Sequence, residues 1–220
     1  MTKMKKIALI AVCAMLLVCV TIGATVAYLT STDKVENTFA VGKVKITLDE
    51  AQVTEDGTPV PGMDANPNPR VKENSYKLMP GHTYTKDPMV TVLNGSEPSY
   101  IKMTVTFSKT AALDAIFDPN GATLTSIFNG YNAANWIYKG NTKDAAADTR
   151  TYEFWYKETV GAPTADVELD ALFDSITVPV SITNDQLETI EGMTITVNAY
   201  AIQADGFDTA DAAWAAYAAQ

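Results

Sequence analysis

The sequence predicts an all-β protein, an antiparallel sandwich or barrel, delivered outside the cytoplasmic membrane. Three observations carry that expectation. Apolar residues recur at every second position in several separate stretches, turn-forming residues fall between those stretches, and the chain opens like a secretory leader.

The leader comes first. Lys3, Lys5 and Lys6 precede an unbroken apolar run of 14 residues, Ile7–Val20, and small residues including Ala24, Thr25 and Ala27 follow before polar Thr30-Ser31-Thr32-Asp33. A positive end, an apolar middle and a small-residue exit describe a cleaved signal peptide. The run falls short of the ~20 residues that span a bilayer as a helix. An uncleaved anchor requires counting on through Thr21–Leu29. The expected cut lies between Ala27 and Tyr28, with Thr25 as the other small residue inspected; a cut after Ala24 would put bulky Ile22 in that place. Val12 and Val18, which precede Cys13 and Cys19, are not the small residues that a lipidated cysteine needs.

Both cysteines lie in the leader, so the mature chain is expected to hold no disulfide, thiolate nucleophile or cysteine metal site. Removing the leader lowers Lys plus Arg from 16 to 13 while Asp plus Glu stays at 26, so the net charge moves from -10 to -13. Such a surface repels nucleic acid and anionic lipid. Neither is expected as a partner, and contact with a membrane is expected only through the leader before cleavage.

About 193 residues remain, enough for one domain with a sizeable core. Val44, Ile46 and Leu48 alternate with Lys43, Lys45 and Thr47. Thr54–Ser75, with four prolines and two glycines, reads as a long surface loop. Val90–Leu93 is a further strand candidate. In Tyr100–Phe107, Ile101, Met103, Val105 and Phe107 alternate with Lys102, Thr104 and Thr106. Tyr152, Phe154 and Tyr156 alternate with Thr151, Glu153 and Lys157; Ile176–Ile182 is another candidate; and Ile195, Val197, Ala199 and Ala201 alternate along Met193–Ile202. Each alternation describes a strand with one buried and one wet face. Pro80-Gly81, Asn94-Gly95-Ser96, Asp118-Pro119-Asn120-Gly121 and Gly140-Asn141 supply the turns. Short helices are expected at Lys109–Phe117 and Val167–Phe173. A third is expected at Thr209–Ala219, capped by Asp208 or Thr209 and docked through Trp214 and Tyr217.

Catalytic residues are scarce. The single histidine, His82, sits in a turn with no second His or Cys to work with, and reads as an exposed turn residue. H-E-x-x-H, G-x-S-x-G and phosphate-cradling glycine loops are all missing from the sequence. Scattered carboxylates leave a glycosidase-type acid pair open, although acids on an acidic surface are ordinarily just solvated. Asp118-Pro119-Asn120-Gly121 has oxygen ligands for calcium but not the spacing of an EF-hand loop, and it is already a good β-turn. No cofactor is expected. Asn94-Gly95-Ser96 formally matches a glycosylation acceptor and reads as a turn. Of the aromatics, Tyr152, Phe154 and Tyr156 share one face and read as core. Trp155 points the other way, between Glu153 and Lys157, and is the aromatic expected to contact a partner.

Taken together, Ala24-Thr25-Val26-Ala27-Tyr28-Leu29-Thr30-Ser31-Thr32-Asp33 and Asn37-Thr38-Phe39-Ala40-Val41-Gly42-Lys43-Val44 resemble the camelysin/TasA-like exported proteins of Gram-positive bacteria. Leu78-Met79-Pro80-Gly81, Asp87-Pro88, Pro98-Ser99-Tyr100-Ile101-Lys102 and the close Asn198–Phe207 with Ala213-Trp214 fit as well. The resemblance implies processing by the signal peptidase SipW, a jelly-roll-like β-sandwich, and a structural role in surface fibres or biofilm matrix. It further implies that the freed N-terminal segment adds as a strand to the next subunit, with Asn37 in that segment and Phe39 and Val41 as anchors. Residues 1–27 are accordingly read as signal peptide, 28–43 as a possible donor strand and 44–220 as the sandwich domain. The expected protein is secreted, non-enzymatic and self-associating. Two alternatives stand beside it: a surface adhesin or glycan-binding module, and a metallopeptidase of the camelysin type, for which the zinc motif is missing.

Overall fold

Alternation in the sequence becomes alternation in burial. In β5 (Ser99–Ser108), Ser99, Ile101, Met103, Val105 and Phe107 are buried and the residues between them half-buried, without a break over the strand. Successive side chains of a strand point to opposite faces, so this pattern fixes which face meets the core.

The computed structural model describes residues 42–62, 69–117 and 124–219, all within one compact unit, Gly42–Gln220. The leader, the Ala27/Tyr28 cut, Asn37, Phe39, Val41 and the Asp118-Pro119-Asn120-Gly121 turn lie outside the described residues. The remaining strands are β1 (Ile46–Ala51), β2 (Arg70–Val71), β3 (Thr83–Thr85), β4 (Met89–Val92), β6 (Trp136–Asp144), β7 (Thr149–Tyr156), β8 (Val167–Glu168), β9 (Ser175–Thr177) and β10 (Ile195–Gln203). The helices are short: α1 (Thr110–Phe117), α2 (Leu124–Ile127), α3 (Asn184–Thr189) and α4 (Ala210–Ala218). None of them is long and apolar enough to cross a membrane.

The strands form one four-stranded sheet in the order β2-β1-β4-β8, a second in the order β10-β5-β7-β6, and a two-stranded β3-β9 pair. Every pairing is antiparallel. Val90 and Val92 of the first sheet share a single core with Ile101, Met103, Val105, Tyr152, Phe154 and Trp136 of the second. Phe128, fully buried, is the hub: its ring lies 4.7–5.8 Å from those of Phe173, Tyr152, Phe154 and Phe107. A smaller cluster of Tyr84, Val178, Ile182 and Ile190 packs beneath β3, β9 and α3.

Four sequence expectations are corrected. Val167–Phe173 is not a helix: Val167–Glu168 pairs with β4, and the N–H groups of Leu169 and Leu172 donate to the Val90 and Pro88 carbonyls. Laid along β4, the segment buries Leu169, Leu172 and Phe173. Gly140-Asn141 is not a turn but part of β6, where the register shifts between Tyr138 and Gly140. Gly140 takes φ of 127° there, a conformation that glycine adopts at low cost in a bulge. Thr54–Ser75 is not all loop, since it holds β2, and its Pro59 bridges to Val53 just ahead of it; residues 63–68 of it lie outside the described residues. Of the Ile176–Ile182 candidate only Ile176–Thr177 falls in a strand, β9, which ends ahead of Pro179.

Candidate functional site

The site is a groove beside one sheet edge that is unpaired among the described residues. Ser108 N–H donates to the Thr194 carbonyl and Ala204 N–H to the Pro98 carbonyl, so even-numbered residues of β10 turn their backbone toward β5. The backbone groups of Ile195, Val197, Ala199 and Ala201 therefore face the open side. Among the described residues they take no partner. Their side chains, half-buried, lean onto the main core.

The other sheet edges are managed differently. β2 and β8 are two residues long. β6 carries Lys139, Lys143 and Asp144 together with its bulge. These are the devices that blunt an edge: shortness, charge and a break in register. β10 has none of them: nine residues, Ile195–Gln203, without charge, proline, glycine or register shift.

Alongside that edge lies a cavity of about 1510 Å³, lined by Ile46 and Leu48 of β1, by Val197 and Ala199 of β10, and by Tyr76 and Leu78. Asn74, Tyr76 and Leu78 alternate with exposed Glu73, Ser75 and Lys77, so this stretch is extended, although it is not paired as a strand. Charge sits at defined points of the lining. Lys86 Nζ lies 2.5 Å from Glu50 Oε2, and both side chains are at most 10% exposed. Asn74 Nδ2 donates to Glu50 Oε1 at 2.9 Å. Beside α1, Asp114 Oδ2 accepts from Lys143 Nζ and an Arg150 Nη, each at 2.8 Å. Burial, reinforced by the Glu50 charge, pushes the Tyr76 phenol well above its ordinary value.

Arg70 anchors the outer end of the first sheet. Its guanidinium meets the Asp49 carboxylate, the Asp87 carboxylate at 2.9 Å, and both residues' carbonyls. Burial opposes its charge, yet the hydrogen bonds to Asp49 and Asp87 win, and its pKa is raised.

Trp155 is half-buried and already engaged. Its indole N–H donates to Glu153 Oε1, Lys139 Nζ sits 3.9 Å from a ring centroid, and the Trp214 ring lies 6.2 Å away. Lys102 lies within 5.4 Å of the Tyr200, Trp214 and Tyr217 rings and 3.8 Å from Glu153. This cation–π cluster seats α4 on the second sheet. His82 is exposed in its turn, 6.1 Å from the Tyr84 ring. No three His, Cys, Asp or Glu side chains converge among the described residues. Sequence reasoning missed the groove, although the nine uncharged residues of β10 were a signal for it. No known protein family, curated protein or solved structure matches this chain.

Proposed function

We propose that this chain is a secreted structural protein of the cell surface or biofilm matrix. In this reading the two four-stranded sheets form a jelly-roll-like sandwich with no enzymatic role. Subunits self-assemble into fibres when the N-terminal segment, residues 28–43, adds as a strand to the next subunit. One observation carries the reading: a long, uncharged sheet edge without a register shift, whose outward backbone groups, at alternate residues, are unpaired among the described residues. Such an edge is a template for strand addition, and natural proteins that stay single cover or charge it. A donor on one end and an acceptor elsewhere make a head-to-tail contact, which grows filaments instead of closed dimers.

Electron microscopy and size-exclusion chromatography test this. Protein beginning at Tyr28 is expected to form filaments, and protein beginning at Val41 to remain monomeric. Filaments from both, or from neither under any salt and pH, would remove the proposal. In the glycan-binding alternative, Trp155→Ala abolishes binding on a glycan array; the engagement of its ring by Lys139 and Trp214 gives that reading no added support.

A further inference from the structure

We infer that the receiving site for the incoming strand is the open edge of β10 together with the cavity beside it, and that its occupant is residues 35–41 of a second copy. The inference rests on the assembly reading above and adds to it a place, a partner segment and a side-chain pattern. Four observations converge. First, the outward N–H and C=O groups at Ile195, Val197, Ala199 and Ala201 offer a regular ladder spaced every second residue. Second, the cavity along this edge is walled by apolar Ile46, Leu48, Val197 and Ala199, with Tyr76 and Leu78 of the extended stretch, so side chains from one face of an added strand find apolar partners there. Third, the sequence before Gly42 alternates: Val35, Phe39 and Val41 share one face with Asn37, and Lys34, Glu36, Thr38 and Ala40 form the other. A strand with this pattern puts its apolar face into the cavity and its charges in water.

The fourth observation concerns the chain entering the body. The Lys43 carbonyl accepts from Glu97 N–H and the Lys45 carbonyl from Leu93 N–H, so the line of β1 is prolonged, still paired, toward Gly42. Among the described residues no chain reversal lies between Gly42 and β1. A hairpin back onto the chain's own groove would need such a reversal. A second copy supplies the segment without one.

The test separates donor from acceptor. Val197 keeps its N–H on the open side, so Val197→Pro removes an outward donor without removing a β5 hydrogen bond. Ala199→Lys, with an intact backbone, is the second variant in case proline disturbs folding. Each variant, in protein beginning at Tyr28, is expected to be folded by circular dichroism and monomeric by light scattering. Mixed one to one with protein beginning at Val41, each is expected to form a one-to-one heterodimer that goes no further, because the variant supplies the tail, the other molecule the edge, and neither holds both. The decisive mixture pairs unmodified protein beginning at Tyr28 with an excess of either. Protein beginning at Val41 offers only an edge and Val197→Pro only a tail, so each caps one filament end and shortens the filaments. Filament growth by folded Val197→Pro and Ala199→Lys that equals the unmodified protein overturns this site while leaving tail-driven assembly intact. Filaments from the Val41-start protein alone would instead remove the assembly reading itself.

Discussion

Glu50 and Lys86 place a buried charge pair in the lining of the groove, and its energetics follow from burial. Both side chains are at most 10% exposed, and Asn74 satisfies the other carboxylate oxygen. Removing one partner strands a buried charge, which costs about 3–5 kcal/mol. Lys86→Met is therefore expected to lower unfolding free energy by about that amount in urea titration, and Lys86→Met with Glu50→Leu to recover most of it. A double variant no more stable than the single would show that the pair is not what holds this floor. Gly57 illustrates a different limit on reading residues singly. Asp56-Gly57 looks like any turn, and the carboxylate is indeed held below its ordinary pKa by the Thr54 hydroxyl and the Thr58 N–H. Yet Gly57 takes φ of 83°, and a Cβ on it would stand 2.6 Å from the Tyr84 Cα. Nothing local in the sequence reports that approach.

Among elements, what was legible is what a strand reveals about itself. β1, β5, β7 and β10 announce themselves because polar residues recur at every second position along most of each, whereas β4 carries only Thr91. β6 does not, because it is an edge strand that runs from buried Trp136 into exposed, charged residues with a bulge between. The helix expected at Val167–Phe173 failed because Leu169, Leu172 and Phe173 are spaced to suit a helix as well as an irregular stretch on β4. Long-range pairing decided it. α3 was legible but unread. Thr183 caps it, accepting from Gln186 N–H, while the Gln186 side chain accepts from Thr183 N–H. That reciprocal box is written in Thr183-Asn184-Asp185-Gln186. Since α3 carries Leu187 into the cluster around Ile190, Thr183→Ala is expected to cost about 1 kcal/mol. An unchanged denaturation midpoint would show that this helix is held by packing alone. The groove was hidden for a related reason: alternation shows which face of β10 is buried, not that its far edge lacks a neighbour.

At the scale of the molecule, the groups whose protonation burial governs most clearly are phenols. Burial raises the pKa of Tyr76, Tyr84, Tyr131, Tyr152 and Tyr156 in the fold. A tyrosine with a raised folded pKa favours folding fully below its unfolded value, near pH 10, and that contribution is lost as pH climbs through the folded value. The protein is therefore expected to unfold cooperatively on the alkaline side, with phenolate absorbance rising together with loss of circular dichroism above about pH 10. Independent, gradual ionisation of all the tyrosines with the fold intact would contradict this.

The seat of α4 has a spectroscopic consequence. Trp155 on β7 and Trp214 on α4 stand 6.2 Å apart, whereas Trp136 lies in the core. Two indoles at that separation couple their transitions, so a split near-ultraviolet signal belongs to the helix being in place. Its disappearance reports helix release independently of the sheets, and the native chain needs no added label.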